Sequence, residues 1–402
     1  MTDVVVVGAG PVGLTAALTV RATGRPVTVL ETGAADRVRP GSRAIFLHRV
    51  TLELLERIRP GLGIELARHG LGWRTRRTLY RGRDVYRRTY PPPRPDVLPA
   101  ATSLPQVVTE QILLDACTQA GVDFTWNADV TSASSSADGV RLDMADGRRV
   151  VAPYVIAADG SRSAVRESLG LRLEGPRTSH AYVIVDIAED QAAPLPLERV
   201  FHYEHPAVGH RNVLFVPFAG HWRVDLQCHP HDNPDDVGSE AGVRDWLVEV
   251  MPAKYADRVT WVSTYIFRQA IATAFTDAHR RVLLAGEAGH VFAPFGARGL
   301  NSGVADAYVA AGAIDAALRA SSATDGDALI AEAAASRLAA AARNRAASSV
   351  ALRHLQAASA HERLMRRAAA ALAPVAPSLG QWLDKAPFGP TLGEPDRYGM
   401  QY

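Results

Sequence analysis

The chain has 402 residues, 47% of them hydrophobic and 21% charged, enough for two or three domains with real cores and too apolar for a disordered or fibrous protein. Its 44 basic and 42 acidic residues leave a net charge of +2, so neutralising a nucleic-acid backbone is a poor default and small-molecule chemistry a better one. The two cysteines, Cys117 and Cys228, form neither a disulfide framework nor a Cys-x-x-Cys pair, which fits a reducing cytoplasm.

The valines at 4–7 predict a strand, the glycine turn after them a helix over 12–23, and residues 27–30 a second strand ending in Glu31. Such a β-α-β unit implies a parallel sheet covered by helices. The uncharged run from 4 to 20 has nearly the length of a membrane span, but Gly8, Gly10, Pro11 and Gly13 interrupt it and no basic leader precedes it. Neither a span nor a signal segment is expected. Residues 74–99 alternate Thr, Tyr and Arg until Pro91, Pro92 and Pro93, predicting a hairpin on a second sheet. A helix over 109–119 ends at Gly121, and strands at 130–134, 140–144 and 150–156 follow, with Asp-Gly turns at Asp138 and Asp146. Strands at 182–185, 213–217, 222–226 and 259–267, with a helix over 243–250, form the bulk of the second sheet. A buried strand over 282–285 precedes alanine-rich helices from Leu300 onward, and the Pro- and Gly-rich residues 374–402 read as an extended tail.

Gly8-Ala9-Gly10-Pro11-Val12-Gly13 is a G-x-G-x-x-G set between the first strand and helix. Gly8 permits the tight turn, Gly10 lets backbone approach a pyrophosphate, and Gly13 allows close packing. The helix amino end offers N–H donors. Glu31 would accept a ribose hydroxyl and repel a 2′-phosphate, so the nucleotide is FAD or NAD rather than NADP.

Two further segments choose between these. One is Asp159-Gly160-Ser161-Arg162, after a strand. The other runs Gly286-Glu287-Ala288-Gly289-His290, then Pro294-Phe295-Gly296-Ala297-Arg298-Gly299-Leu300-Asn301-Ser302-Gly303, with Asp306 behind. With the three motifs in this order over nearly the whole chain, the sequence resembles the single-component FAD-dependent aromatic hydroxylases of the p-hydroxybenzoate hydroxylase fold. Pro-Phe-Gly-Ala-Arg-Gly and Asn-Ser-Gly resemble its phenol-type and polyketide-type branch. The resemblance implies an α/β fold: a Rossmann-like FAD-binding domain (1–73, 100–175 and 277–320), an inserted, mostly antiparallel β-sheet substrate domain (74–99 and 176–276), and C-terminal helices and tail (321–402).

It also implies that Asp159 and Arg162 shape the cofactor site, that Glu287 beside Gly286 holds the ribityl chain, and that Pro294 and Gly299 line the flavin. Arg43 looks like the family's arginine near the flavin and Gln106 like its FAD-binding glutamine. A helix starting near Leu300 and Asn301 would aim its N–H groups at the charge that reduction places on the flavin. The implied activity is a cytoplasmic monooxygenase of secondary metabolism, such as antibiotic biosynthesis, working as a monomer or homodimer. NADH or NADPH reduces FAD, O2 adds to give a flavin C4a-hydroperoxide, and an oxygen passes to a small phenol or polyketide-like ring. Phe215, Pro217, Arg223 and Tyr265, with Pro294, are the candidate pocket residues, and no side chain is singled out as catalytic base. Glu287 stands where the family has Asp, so charge is kept and reach changes, and FAD is expected to bind less tightly. Two rivals share this pattern: a same-fold flavoprotein that epoxidises, oxidises or reduces, and a non-catalytic FAD-fold binding protein.

Other signals are weaker. Eight arginines between Arg74 and Arg94 alternate as a solvated strand face does. Six histidines between His202 and His231 include Cys228-His229-Pro230-His231, which Pro230 makes a loop rather than a metal site, so no metal is expected. His290 fits a packed histidine as well as a proton relay.

Overall fold

Val4–Val7 is buried along its whole length and pairs in parallel with both Val27–Leu30 and Tyr154–Ala157. Asp123–Thr125 and Val282–Leu284 add the outer strands of a five-stranded parallel sheet. Its apolar, β-branched runs suit a sheet covered on both faces. The computed structural model describes residues 2–92, 94 and 97–390. The helices Pro11–Ala22 and Arg298–Arg319 pack against one another beside this sheet. Among the described residues no helix is long and apolar enough to cross a membrane.

A seven-stranded sheet forms the second layer, in the order Val259–Arg268, Arg177–Ala188, His221–Gln227, Arg211–Phe218, Glu198–His205, Thr75–Tyr80, Arg83–Thr89. All its pairings are antiparallel except that of Glu198–His205 with Thr75–Tyr80. One face is sealed by the helix Glu240–Val250 through Val243, Trp246 and Leu247, packed on Val183, Val185, Val213, Trp222 and Val224. The other face carries Asp186, bonded to Ser42, and Tyr182 and Phe267, packed on Phe295. The helices Ala323–Gln356, Ala360–Leu372 and Pro377–Lys385 close the molecule. This is the expected fold class: Rossmann-like parallel sheet, mostly antiparallel inserted sheet, C-terminal helices.

The local departures have physical reasons. The strand expected over 150–156 is two strands broken at Pro153. Arg149–Ala152 pairs antiparallel with Gly139–Met144, and Tyr154–Ala157 enters the parallel sheet. The expected extended tail contains the helix Pro377–Lys385, with proline in its first turn where a missing N–H costs nothing, and a 3-10 turn, Ala386–Phe388. The rest of that tail, 391–402, lies outside the described residues, as does Pro93.

Candidate active site

The three glycine-bearing segments meet along one seam. Gly8 has φ +101°, and a Cβ added there would lie 2.4 Å from the carbonyl oxygen of Ala158. One added at Gly13 would lie 1.8 Å from the oxygen of Gly8, so strand, turn and helix close up only without side chains. Gly286, at φ +60°, and Gly303 both abut Val12, where added Cβ atoms would come within 2.9 and 2.6 Å of its methyls. Segments nearly 300 residues apart in sequence thus share a wall through Val12.

Two helix amino ends open onto this seam. Pro11–Ala22 starts from Gly10 and Arg298–Arg319 from Ala297, itself in the left-handed region at φ 53°. Neither end has a side-chain cap or an acidic residue in its first turn. The first N–H groups at each end, apart from Pro11, which has none, therefore lack an intrahelical partner, and the partial positive charge there favours an anion. A Cβ on Gly299 would meet nothing within 4 Å, and one on Gly10 only the Arg39 guanidinium at 3.8 Å, so the space over both ends is clear.

Carboxylates and arginines ring that space. Glu31, 4% exposed, accepts from the Ala9 N–H at 2.6 Å and the Gly33 N–H at 3.0 Å, so the turn itself orients it. Arg37 and Arg39 approach it at 3.6 Å, and Arg39 also reaches Glu110 at 3.3 Å. Sequence reading passed over this arginine pair, whose only signal is Arg37-Val38-Arg39 soon after Glu31. Asp159 accepts the Val165 N–H through Oδ2, while Oδ1 is buried with no partner among the described residues; burial pushes the carboxyl up. An orphaned acceptor beside an open glycine turn fits a hydroxyl-bearing ligand. Glu287 is exposed in area, yet burial by surrounding groups pushes its carboxyl up, against the pull of His290 and Arg43. A side chain that water reaches but protein surrounds lies on the wall of a cleft, as the ribityl-holding role needs. Pro294 is exposed on the same segment, while Leu300 is half-buried.

The Arg43 loop is pinned from several sides. Arg43 has φ 53° and an exposed side chain. Gln106 opens the helix Gln106–Gln119; its N–H donates to the Ser42 oxygen at 2.9 Å and its side chain accepts from the Ala44 N–H at 3.4 Å. From the large sheet, Asp186 accepts both the Ser42 N–H and its hydroxyl at 2.7 Å, and Arg223 donates to the Arg43 carbonyl while pairing with Asp225 at 2.7 Å. Asn301 sews the seam on the other side: it accepts from the His48 N–H and the Thr51 hydroxyl and donates to the Phe46 and Ala297 oxygens. His48, kept below its usual range by burial, bonds the Gly296 oxygen at 3.0 Å.

Arg223 and Tyr265, the latter pushed up to about 12 by burial with Glu287 and Arg223 in its surroundings, stand on the cleft side of the sheet. Phe215 and Pro217 do not. Phe215 packs with the Glu240–Val250 helix, and Pro217 pairs with Trp222 of that same cluster, so both point away. Their neighbours Leu214 and Val216 face the cleft with Ile45 and Phe218, and Tyr182 and Phe267 meet the Phe295 ring edge-on. Sequence alternation missed this because the strand is apolar on both faces.

Arg162 is exposed and makes no hydrogen bond to described residues. Arg166, 3% exposed, does the joining: it donates to the Ser161 and Ala288 oxygens, tying the second motif to the third. Beneath the seam Asp306 accepts from the Gly286 N–H at 3.1 Å, His290 at 2.7 Å and Arg337 at 2.7 Å, so His290 belongs to a buried support. Among the described residues no group of three His, Cys, Asp or Glu is placed to hold a metal; His229 bonds the Gly209 oxygen instead. Several arginines of the 74–94 run are paired, Arg76 with Asp384, Arg77 with Asp84, Arg81 with Glu204 and Arg87 with Glu198.

Comparison with known proteins agrees with this architecture. The FAD binding domain family matches residues 1–348. The 6-methylpretetramide 4-monooxygenase of Streptomyces rimosus is 33% identical over 313 residues, 76% of this chain and 54% of that protein. The rifampicin monooxygenase of Streptomyces venezuelae is 29% identical over 340 residues, 77% of this chain and 63% of that protein. The chain thus spans little more than half the length of these relatives. The crystal structure of the p-nitrophenol 4-monooxygenase PnpA from Pseudomonas putida DLL-E4 superposes with a TM-score of 0.76 at 24% identity, covering 98% of this chain and 99% of that one, a likeness of fold.

Proposed function

The chain belongs to the FAD-dependent aromatic hydroxylase family, and from that premise we propose that it is a monooxygenase using a nicotinamide reductant and O2 to hydroxylate an electron-rich aromatic or polyketide-like ring. The observation that carries this reading is the meeting of three glycine segments at one seam, with Arg223 and Tyr265 of the large sheet on the side that faces it. FAD, when bound, supplies two-electron transfer and activation of O2. The chain supplies the rest. The amino end of Pro11–Ala22 and Arg39 hold a diphosphate, Glu31 accepts a ribose hydroxyl, and Asp159 and Glu287 accept further hydroxyls. The open end of Arg298–Arg319 would stabilise negative charge on the cofactor, and Pro294 and Gly299 would line its ring. Leu214, Val216 and Phe295 exclude water from the space above.

Full-length protein incubated with FAD is expected to keep a flavin absorbance band through gel filtration and to oxidise NADH or NADPH faster with a suitable phenol, labelled O2 appearing in the product. Loss of the flavin band, or oxidation that no ring compound stimulates, overturns the reading.

Asp186→Ala tests the pinned loop. It removes two hydrogen bonds to a carboxylate, each worth about 1.5–3 kcal/mol in a buried setting. The expected outcome is retained flavin with kcat/KM for the ring substrate lower by roughly 10- to 100-fold. An unchanged kcat/KM would show that the loop needs no anchor on the sheet.

A further inference from the structure

The cleft-facing side of the large sheet has a second end. Along the paired strands Arg177–Ala188 and His221–Gln227, Asp186 opposes Arg223 at the cleft, and Tyr182 opposes Gln227 four residues away, about 13 Å along a strand. Beyond Gln227 lies a cavity of about 750 Å³ between the strand ends and the helices Ala323–Gln356 and Ala360–Leu372. It is walled by residues on neither side of the flavin seam.

Its charge is one-sided. Arg81, Arg363, Arg366 and Arg367 line it against a single carboxylate, Glu204. Both Glu204 oxygens are already engaged, one by Arg366 at 2.6 Å and the other by Arg81 at 2.8 Å and the Tyr80 hydroxyl at 3.0 Å. Arg363 caps the end of a helix by donating to the Ala357 and Ala358 oxygens. Arg367 makes no hydrogen bond or ion pair to the described residues and is exposed. Arg366 also donates through Nη1 to the His354 and Leu355 oxygens, so the guanidinium donors left over at this space are those of Arg367 and the Arg366 Nε.

Two buried polar atoms behind the wall point the same way. The Tyr182 hydroxyl, on a side chain 5% exposed, makes no well-formed hydrogen bond within the described residues, its nearest polar neighbour being the Asn212 side chain of the cavity wall. Nε of Arg366, 5% exposed, is likewise unpaired. Orphaned polar atoms at this depth are uncommon and call for a bound partner, water or ligand. A volume of this size suits a small organic molecule, and unmatched guanidinium forks select carboxylate or phosphate oxygens.

We propose that this cavity is a second binding site, separate from the flavin cleft, for a small organic anion bearing carboxylate or phosphate groups, held by Arg363, Arg366 and Arg367. The site does not depend on the monooxygenase reading, and flavin content is measured apart from it. FAD-loaded protein is titrated calorimetrically with inorganic pyrophosphate and with phthalate, the cofactor keeping its own phosphate seat filled. Saturable binding of at least one probe is expected, weakening with added salt and falling about tenfold or more in Arg363→Gln/Arg367→Gln. Arg367→Gln alone, which disturbs no internal contact, is expected to show part of this loss with an unchanged melting temperature. Ala358→Trp, which intrudes on the cavity from its wall and leaves the charges in place, is expected to weaken binding. Tighter pyrophosphate identifies a nucleotide-like phosphate as the natural class, and tighter phthalate an aromatic acid. No saturable binding of either probe, or equal affinities for wild type and all three variants, overturns the proposal. If the protein fails to hold FAD, the variants still read on the apoprotein, because none of them touches the glycine segments.

Discussion

Replacing Asp306 by alanine is expected to destabilise the protein by about 3–5 kcal/mol, because it strips the buried Arg337 guanidinium of its carboxylate and His290 of its hydrogen-bond partner. Asp306 is 1% exposed and His290 1%, and Arg337 is 3% exposed; the carboxylate joins both to the Gly286 N–H at the start of the third glycine segment. In a chain of this size that loss lowers the melting temperature by roughly 4–6 °C. Burial pushes the Asp306 carboxyl up, but Arg337 and His290 outweigh it and hold it below the usual carboxylate range. Its contribution is therefore present above the unfolded value and lost as pH falls through the depressed one. Thermal melts of wild type and Asp306→Ala check both statements. Equal melting temperatures at neutral pH, or a difference that persists undiminished in strong acid, would rule out the buried triad as a support.

Glu287→Gln is expected to weaken FAD binding by roughly 10- to 100-fold, the effect of trading a hydrogen bond to a charged acceptor for a neutral one. Its pH signature is opposite to that of Asp306. Burial raises the Glu287 carboxyl, so the free protein carries a proton there over a window just above the usual range, about pH 4.3 for a free glutamate. Its raised value favours the folded apoprotein below the unfolded pKa, and that share is lost as pH rises through the folded one. A cofactor hydroxyl donating to the anion reverses the preference, so FAD affinity should climb as pH rises through the window. Flavin fluorescence quenching on either side of it measures the slope, which Glu287→Gln should flatten. An equal slope in the variant would place the titrating group elsewhere. The same substitution should leave the cofactor-free protein as stable or slightly more so, since it removes a desolvated charge.

The amino-terminal unit was legible because strand, turn and helix each carry a strong local signal there, and Gly8, Gly10 and Gly13 have few other reasons to stand at that spacing. The third motif was legible for the same reason, with its helix starting at Arg298, two residues before expected. The large sheet was less so. Glu198–His205 carries Glu198, Arg199, His202 and Glu204, which read as surface until distant partners neutralise them: Asp384 meets Arg199 at 3.5 Å and Arg366 meets Glu204 at 2.6 Å. Phe215 and Pro217 were set on the wrong face because the alternation that would assign faces disappears when both are covered. Arg166 was overshadowed by Arg162, in the turn before its helix, and only the fold shows which of them reaches the Ala288 oxygen. Arg37 and Arg39 sit in a loop with no periodicity, and proximity alone marks them.

The contacts of the third motif's loop reach nearly to the far end of the described chain. Gly296 lies against the Phe388 oxygen, where an added Cβ would come within 2.5 Å, and Arg298 donates to the Phe388 and Pro390 oxygens as well as to Asn344. During synthesis the parallel sheet can assemble while translation continues, but this loop gains its last fixed contacts only after residue 390 leaves the ribosome tunnel. Cofactor capture is thereby deferred until that late stretch has emerged, and a nascent chain stalled before that point should remain colourless.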